Sequence, residues 1–551
     1  MTGGSESLRP VLVLALDGAS FTVIEPLVAA GHLPNLGRWI AEGHARPLPS
    51  TTPPVTFPAW SSFMTGLEPG DHGVFDFTQK VDGAYRIRFA NGSDREGRSL
   101  FTRVCDAGGR VLVLGMPAAF PPEPVEGLLV CGFDAPVSTG TDERSASDGA
   151  LYRRIADVAG PWMRPDIDES ARGEHFHERA VTTLLARIDR KQTFALEALR
   201  ALREQGGRPE LMMIVFSESD TVGHHYWRDH DSGSPRHDAS ASDARKGAIE
   251  AVYTRLDEAC GALRTAYGED ADCFVLSDHG MGGAARSVVH LNKHLEDAQL
   301  LVRSGTANRS LDRAARLARD TVLRILPAVL AQALFRSARG AAARVESAVR
   351  MGGFDWSRTR AWSEEANTNP GIWINLRGRE ASGCVSPSDY EATRDAVIEA
   401  LTSWKLEDGT PVVRQVLRRE QVYSGAHVER APDIVLDLGL VDGYGLSLVP
   451  TPWAERPAST RRLDDDELGG GRGRGMNGTH RRDGIWIDAQ NALARAPGGL
   501  AEAAPAIAQA MALPWNRERD ADGELPAGRR EYSNDEDAIV AERLRALGYL
   551  E

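Results

Sequence analysis

Cysteine is scarce in this chain. Five cysteines are spread over 551 residues, and none forms a Cys-x-x-Cys pair. This pattern excludes a disulfide framework and a zinc finger. Because unpaired thiols are typical of reducing compartments, it favours a cytoplasmic protein.

Long apolar runs and a leader segment are also lacking. The longest apolar candidate, residues 322–335, is interrupted by Arg324, Pro327 and Gln332, whereas a membrane-spanning helix needs roughly 20 apolar residues. The first ten residues, MTGGSESLRP, have neither the basic nor the apolar region of a signal peptide. We therefore expect a cytoplasmic protein without stable membrane insertion.

Basic residues are fewer than acidic residues, and the formal net charge is −14. A basic surface for polymeric nucleic acid is therefore not expected. A small anionic substrate stays compatible with this balance, because bound metal ions dominate the local field. The length leaves room for a doubly wound core and a further domain.

The chain does contain short apolar runs that end in polar residues. Residues 11–16, 211–216 and 273–276 predict parallel strands that are buried on both faces. Further strands are predicted at 110–114, 127–132, 371–376, 432–438 and 484–487. The first three runs are followed by Asp17, Asp220 and Asp278. Open α/β sheets form their sites at the carboxyl ends of such strands, so these aspartates are candidate ligands.

Histidines accompany the aspartates. His224 follows Asp220 by four residues, which puts both on one face of a helical turn. His279 is adjacent to Asp278, and His480 ends the glycine-rich loop 469–480 ahead of a predicted strand. Three carboxylates and three imidazoles favour two Zn²⁺ ions, with Mn²⁺ or iron as alternatives, whereas a carboxylate-only site would favour Mg²⁺. The set predicts a two-metal hydrolytic centre.

A hydroxyl nucleophile is predicted in residues 51–66, TTPPVTFPAWSSFMTG. Pro58 suits the first turn of a helix that begins there and ends near Gly66. Thr56 then lies beside free N–H groups at the positive end of the helix dipole, where phosphate is favoured. An ordinary threonine N-cap is the alternative.

Five motifs occur in order: VLVLALDGAS, TTPPVTFPAWSSFMTGLEPGDHGVFDF, SESDTVGHHYW, LSDHGMG and MNGTHRRDGIWI. Together they resemble the alkaline phosphatase superfamily, in particular its type I phosphodiesterase/nucleotide pyrophosphatase branch with bacterial phosphohydrolase-or-phosphomutase members. Segments from GMPAAFPPEPVEGLLVCGF to RLRALGYL extend the resemblance over nearly the whole chain. It implies an alkaline-phosphatase-like, doubly wound and mostly parallel sheet flanked by helices.

The resemblance also implies an activity and the roles of residues. The expected reaction is hydrolysis of a small phosphate ester, of phosphodiester or nucleotide type, through a covalent phospho-threonine at Thr56. The N–H group of Phe57 is expected to hold a phosphoryl oxygen. Two divalent metal ions, Zn²⁺ or Mn²⁺, are implied, one held by Asp17, Asp278, His279 and the Thr56 oxygen and the other by Asp220, His224 and His480.

One motif departs from this branch. Nucleotide pyrophosphatases follow the nucleophile with Phe-Pro-Asn-His, in which the asparagine contacts phosphate, but this chain has Ala59 and Trp60. Our candidates for the missing phosphate clamp are Arg472 and Arg474.

Several alternative functions stay open. A phosphomonoesterase, phosphomutase or phosphonate hydrolase of the same superfamily would use the same residues, and a metal-dependent binding protein or degenerate enzyme is an alternative of another class. A sulfatase needs a modified Cys or Ser in a Cys-x-Pro-x-Arg setting, and no cysteine is near position 56. A monoester dianion usually needs an extra cation, and none is evident near Thr56, which favours diesters.

Three segments are predicted from composition. Residues 1–300 form a core with most ligands, residues 301–355 an arginine-rich helical insertion, and residues 356–551 the rest of the core with a smaller α/β part that supplies His480. We expect the insertion to pack its apolar face on the protein; contact with a membrane surface is the alternative.

Overall fold

The computed structural model describes residues 8–136, 143–163, 176–304, 353–453, 457–470, 474–515 and 530–546. Its strands are β1 Val11–Leu16, β2 His44–Pro49, β3 Thr78–Lys80, β4 Ile87–Phe89, β5 Val111–Met116, β6 Gly127–Cys131, β7 Leu211–Phe216, β8 Asp272–Leu276, β9 Gly280–Val289, β10 Ala361–Trp362, β11 Gly371–Ile374, β12 Val413–Arg418, β13 Ile434–Leu438, β14 Leu440–Val441, β15 Tyr444–Leu448, β16 Thr460–Arg462, β17 Gly478–Arg481 and β18 Asp483–Asp488.

Its helices are α1 Phe21–Ala29, α2 Pro34–Glu42, α3 Thr56–Thr65, α4 Pro69–His72, α5 Leu100–Asp106, α6 Gly149–Ala159, α7 Phe176–Gly206, α8 Glu218–His230, α9 Asp243–Lys246, α10 Ala248–Tyr267, α11 Leu291–Asp297, α12 Tyr390–Thr402, α13 Arg419–Val422, α14 Ala503–Ala510 and α15 Asn534–Ala546. No helix in the described ranges is both long enough and apolar enough to cross a membrane.

A seven-stranded sheet with the order β2-β18-β8-β1-β7-β5-β6 forms the centre. Strands β8, β1, β7, β5 and β6 are parallel, whereas β18 and β2 are antiparallel to their neighbours β8 and β18 respectively. In register, Leu16 lies opposite Phe216 and Ala15 opposite Leu276. The segments after β1, β7 and β8 therefore meet at one edge of the sheet.

Helices cover both faces of this sheet. Leu12 and Leu14 of β1 pack in a core with residues of α1, α2, α7, α8 and α10. Val11 and Val13 point to the opposite face and pack with residues of α3, α5, α14 and α15. Because both faces are buried, the strands are continuously apolar, as the sequence predicts. The predicted doubly wound, mostly parallel α/β fold is confirmed.

A smaller α/β part follows. Its sheet has the order β10-β11-β13-β12, and its hydrophobic cluster includes Val397 and Leu401 of α12. Another sheet, β14-β15-β9-β16, links this part to the core, and β17 pairs with β9. The predicted boundaries at 300 and 355 stay predictions. Most of the predicted helical insertion, residues 305–352, lies outside the described residues.

Two strands near the site differ from the sequence expectation. Residues 280–289 form the long strand β9, for which the sequence analysis predicts no element. His480 lies within the short strand β17, not at the end of a loop. Both strands are short of β-branched residues where they pair, so the local pattern gives little strand signal. Pairing between distant segments stabilises them instead.

Candidate functional site

The three predicted aspartates lie at the carboxyl edge of the central sheet. Asp17 follows β1, and its N–H group donates to the Phe216 carbonyl of β7 at 2.9 Å. Asp220 lies in the first turn of α8, and Asp278 follows β8 by two residues. All three side chains are buried. The edge therefore concentrates three carboxylates where water does not reach them.

Gly18 allows these carboxylates to approach one another. Its φ of +66° lies in the left-handed region, and a Cβ atom there would lie 2.9 Å from Asp220 Oδ1. Its N–H group donates to Asp278 Oδ1 at 3.2 Å. A residue with a side chain at this turn would be strained and would displace Asp220.

Three histidines present the same nitrogen to this cluster. In each ring Nδ1 donates to a backbone carbonyl: His224 to Gly478 at 2.9 Å, His279 to Gly280 at 3.1 Å and His480 to Pro54 at 2.8 Å. Because a carbonyl only accepts, Nδ1 carries the proton in each case. The neutral rings then offer their Nε2 lone pairs, the form in which histidine binds a metal.

The Nε2 atoms point at one another and at the carboxylates. The Nε2 atoms of His224 and His480 are 2.9 Å apart. Asp220 Oδ1 lies 3.3 Å from Nε2 of His224 and 3.4 Å from Nε2 of His480. The His279 and His480 rings stack with centroids 3.7 Å apart. Lone pairs and carboxylate oxygens this close repel one another unless a cation lies between them.

Two sets of residues fit metal ions. The ligand atoms of each set lie within 4.8 Å of one another, and the sets are Asp220, His224 and His480, and Asp17, Asp220 and His279. Asp278 Oδ2 lies 3.3 Å from His279 Nε2. Among the described residues, neither Asp17 Oδ1 nor Asp278 Oδ2 receives a hydrogen bond. Buried oxygens without a donor beside imidazole lone pairs are the donor chemistry of a Zn²⁺ or Mn²⁺ site.

The pKa values of the three aspartates also indicate that the cluster would be stabilised by positive charge. Burial, together with the charges of Asp278 and Asp220, raises the pKa of Asp17 well above its usual range. Burial raises the pKa of Asp278 to about 8. For Asp220 the effect of burial is outweighed by His224 and His480, which bring its pKa well below the usual range. Bound cations would favour the ionised form of all three carboxyls.

Thr56 lies against this cluster. Helix α3 begins at Thr56 with Val55 as its N-cap, so the predicted start at Pro58 is two residues late. Pro58 is tolerated there because an N–H group in the first turn has no partner within the helix. The Thr56 side chain is fully buried, and its Oγ1 lies 3.3 Å from His279 Nε2. The N-cap residue Val55 makes no side-chain hydrogen bond to α3, and a helix start favours an anion because its N–H groups and dipole are positive.

The structure thus brings seven predicted residues into one connected cluster: Asp17, Thr56, Asp220, His224, Asp278, His279 and His480. Phe57 is the second residue of α3, and its buried ring packs on Phe77 with centroids 4.5 Å apart. Arg474 Nε lies 3.9 Å from Glu467 Oε1, and Arg472 lies outside the described residues. The clamp role of these arginines stays a prediction.

Sequence reasoning missed the groups that hold Asp17. Trp60 Nε1 donates to Asp17 Oδ2 at 3.4 Å, and Ser219 Oγ donates to the Asp17 carbonyl at 2.6 Å. Trp60 occupies the position of the histidine in the Phe-Pro-Asn-His pattern. This difference was the one sequence feature that indicated a role of position 60 at the site. Ser219 carried no such signal, because its contact joins residues 202 positions apart.

A buried ion pair lies behind the same helix turn. Lys191 Nζ on α7 is 2.8 Å from Glu218 Oε1, and the exposed fractions of the two side chains are 2% and 0%. Glu218 is the first residue of α8, two positions before Asp220. The pair therefore fixes the start of α8, which carries two of the candidate ligands.

The fold is similar to that of a solved structure. Phosphonoacetate hydrolase from Sinorhizobium meliloti 1021 in complex with phosphonoacetate matches with a TM-score of 0.52 and 16% identity, over 92% of this chain and 96% of that chain. Murine ectonucleotide pyrophosphatase/phosphodiesterase 5 matches over the same shares with a TM-score of 0.43 and 12% identity. No curated protein matches the sequence. At such identities the first likeness concerns the fold alone, and it agrees with the predicted alkaline-phosphatase-like architecture.

The family is identified by sequence. The model of the family described as type I phosphodiesterase / nucleotide pyrophosphatase matches residues 11–440. The match contains six of the seven clustered residues, and His480 lies beyond it. Because the match spans well over half of the chain, this protein belongs to the type I phosphodiesterase/nucleotide pyrophosphatase family of phosphoric ester hydrolases.

Proposed function

We propose that this protein is a phosphodiesterase that works through a covalent phospho-threonine at Thr56 beside two divalent metal ions. One observation carries the proposal: the Thr56 hydroxyl lies 3.3 Å from the Nε2 atom of His279, inside a cluster of three carboxylates and three imidazole lone pairs. A hydroxyl at an uncapped helix start, next to a site that attracts cations, suits attack on phosphorus.

The chain's own groups have distinct tasks. Thr56 Oγ1 loses its proton to water and forms a bond to phosphorus while the bond to the departing alcohol oxygen breaks, and that oxygen takes a proton from water. The Phe57 N–H group at the start of α3 donates to a phosphoryl oxygen. A water molecule then cleaves the Oγ1–phosphorus bond and regenerates Thr56. Zn²⁺ or Mn²⁺ ions, when bound, would lower the pKa of the hydroxyl and neutralise phosphoryl charge.

The geometry supports a division of the ligand roles. Asp220, His224 and His480 would hold one ion. Asp17, His279 and the shared Asp220, with Asp278 beside them, would hold the ion next to Thr56. Trp60 and Ser219 would keep Asp17 in place, because both donate hydrogen bonds to it.

A diester is the favoured substrate. A phosphomonoester dianion carries one more negative charge than a diester monoanion and usually needs an additional fixed cation. The described Arg474 side chain pairs with Glu467. Thr56 Oγ1 lies beside the neutral ring of His279, and Asp17 Oδ2 accepts a hydrogen bond from Trp60. All five cysteines are free thiols, which supports the proposed cytoplasmic localisation.

The test compares p-nitrophenol release from bis-p-nitrophenyl phosphate and from p-nitrophenyl phosphate by Zn²⁺- or Mn²⁺-loaded protein. We expect a higher kcat/KM for the diester and a loss of at least about 10³-fold in Thr56→Ala, as for other removed nucleophiles. Thr65→Ala is the matched control, since Thr65 is a buried threonine of the same helix whose Oγ1 donates to the Ser61 carbonyl. Its activity should stay near that of the parent.

Mass spectrometry of acid-quenched protein checks the intermediate. With bis-p-nitrophenyl phosphate, a p-nitrophenyl phosphoryl adduct on Thr56 that is absent in Thr56→Ala is expected. Preference for the monoester would replace the diesterase by a phosphatase or phosphomutase, and full activity in Thr56→Ala would overturn the nucleophile.

A further inference from the structure

The short hairpin of β3 and β4 packs in two hydrophobic cores at once. Phe89 of β4 belongs to the core on one face of the central sheet, which also contains Phe57 of α3. Ile87, two residues earlier on the same strand, belongs to the core of the smaller α/β part together with Trp373 of β11. Residues two apart in a strand point to the same side. One side of the hairpin therefore crosses from one core to the other.

Phe77 forms the contact between the base of the hairpin and α3. It immediately precedes β3, and its carbonyl accepts a hydrogen bond from the Ala90 N–H group at 2.8 Å. The Phe77 and Phe57 ring centroids are 4.5 Å apart, and each lies 6.3 Å from the centroid of Phe133. All three side chains are buried. The first turn of α3, which contains Thr56 and the Phe57 N–H group, is therefore packed against the base of the hairpin.

Lys80 anchors the other end of β3 in the smaller α/β part. Its Nζ lies 3.1 Å from Glu380 Oε2, and the exposed fractions of the two side chains are 5% and 0%. The same Nζ lies 5.2 Å from the centroid of the Trp373 ring. Because loss of one partner from a buried ion pair is costly, this contact holds β3 at a fixed position on the smaller part.

Tyr85, in the turn between the two strands, adds a second anchor. Its hydroxyl donates to Asn375 Oδ1 at 2.7 Å and accepts from the Ser382 N–H group at 3.1 Å. Its ring stacks on that of Trp356, with the centroids 3.6 Å apart. The turn of the hairpin is thus fixed to the smaller part by hydrogen bonds and stacked rings, whereas its base contacts α3.

We propose that this hairpin is the connection through which the smaller α/β part positions α3, and that Lys80 and Phe77 are positioning residues for Thr56. The inference rests on the proposed function, in which Thr56 is the nucleophile. A misplacement of about 1 Å costs up to about 10²-fold in rate, because the attacking oxygen must be aligned with phosphorus. Close-packed side chains from Glu380 to Phe57 transmit a displacement of the hairpin to α3.

The first test is the variant Lys80→Met. It removes the ion pair of the hairpin, while Glu380 keeps its contact with Arg379, whose Nε lies 2.9 Å from Glu380 Oε1. With bis-p-nitrophenyl phosphate and metal-loaded protein, we expect kcat to fall at least about tenfold. KM should stay within about twofold, because a displaced nucleophile affects the transition state more than substrate binding.

Arg379→Met is the matched control. Arg379 is the other cationic partner of Glu380, and its guanidinium also lies over the Trp373 ring, 5.6 Å from the centroid. Its further contacts are made within the smaller part, with the Asp433 carboxylate and the Ile374 carbonyl. Because the hairpin keeps its own anchors in this variant, kcat should equal that of the parent.

Hydrogen–deuterium exchange detected by mass spectrometry measures the packing of α3 without turnover. Lys80→Met should increase deuterium uptake in residues 55–65, whereas Arg379→Met should leave it at the level of the parent. Phe77→Leu should increase uptake in the same residues, and adding Lys80→Met should increase it no further, because both changes act through one contact. Tyr85→Phe, which removes hydrogen bonds but no charge, gives a milder displacement in the same direction.

The two readouts separate the failure of this inference from that of the proposed function. Parent-level kcat or parent-level uptake in Lys80→Met would overturn the inference, as would equal changes in Lys80→Met and Arg379→Met. A parent protein that releases no p-nitrophenol would reject the proposed function instead. The uptake of residues 55–65 would then decide by itself whether the hairpin positions α3.

Discussion

Single side chains set the protonation of this site. The three histidines donate their Nδ1 protons to carbonyls at Gly478, Gly280 and Pro54. Burial also lowers the pKa of His279 and His480. The neutral imidazole is therefore the stable form, and the cluster is prepared for cations before any cation binds.

Gly18 gives a prediction at this scale. Gly18→Ala should lower the free energy of unfolding by about 1–2 kcal/mol, since L-residues are strained at positive φ. It should also weaken metal binding by about tenfold, because its Cβ would lie 2.9 Å from Asp220 Oδ1. Urea denaturation and a competitive zinc titration measure the two effects.

Gly31→Ala is the matched control. Its φ of +82° imposes the same backbone strain, but nothing lies within 4 Å of the added Cβ. This variant should lose stability and keep its metal affinity. Equal zinc affinity in the two variants would contradict the role assigned to Gly18.

The sequence predicts the clustered residues better than it predicts their partners. Asp17, Asp220 and Asp278 are recognisable because each follows an apolar strand, a local feature. The contacts that orient the ligands are not local: His480 bonds to Pro54 across 426 positions, and His224 to Gly478 across 254. Such contacts exist only once the tertiary fold has formed.

At the scale of elements, α7 and α8 are joined by the buried Lys191–Glu218 ion pair. Lys191→Met should destabilise the protein by about 3–5 kcal/mol, because Glu218 would remain buried without its partner. The double variant Lys191→Met/Glu218→Gln should recover much of this loss, since it removes the uncompensated charge. Urea denaturation at neutral pH measures both.

Arg200→Met serves as the comparison. Arg200 lies on the same helix and pairs with Glu197 and Glu204, but its side chain is 55% exposed. Solvent screening makes such pairs weak, so little change is expected. A Lys191→Met variant as stable as Arg200→Met would refute the importance of the buried pair.

The glycine-rich loop before β17 is held by a second buried cation. Arg236 is fully buried and donates to the carbonyls of Ala285, Arg474, Gly475 and Met476. Arg236→Met should release this loop and lower occupancy of the Asp220-His224-His480 set, because His480 follows four residues later. Metal content measured by atomic emission should fall by about one ion per chain.

Arg264→Met separates this effect from simple loss of stability. Arg264 is equally buried and donates to three carbonyls, those of Gly268, Glu269 and Ala271. These lie between α10 and β8, away from the carboxyl edge. The variant should be destabilised and yet retain its metal. Loss of metal from both variants alike would count against a positioning role of Arg236.

The bounds of a strand are predicted correctly where burial of both faces produces a continuous apolar run. Strands β1 and β7 begin and end where their apolar runs do. Strand β9 contains glycine and arginine, and β17 is the four-residue segment GTHR. Neither has the composition of an isolated strand. They form because each pairs with the other, Met281 opposite His480.

For the molecule as a whole, metal removal should lower stability. A ligand that binds only the folded state at 100 times its dissociation constant adds about 2.7 kcal/mol, and chelation also restores repulsion among buried carboxylates. We expect a lower melting temperature in EDTA, restored by Zn²⁺. Asp220→Asn should respond far less to EDTA, because Asp220 belongs to both ligand sets. An unchanged EDTA response in this variant would exclude Asp220 as the shared ligand.

The pairing of β17 with β9 also sets the order in which the two ligand sets are completed during synthesis. Asp17, Asp220 and His279 form one set, whereas the other waits for His480. About 200 residues separate His279 from His480, and a ribosome needs roughly 10–40 s to add them. During that interval a nascent chain already carries every side chain of the first set but lacks the last one of the second. Under the proposed two-metal arrangement, metal loading during synthesis would be sequential, and arrival of the second ion would report that the carboxyl-terminal strands have joined the sheet.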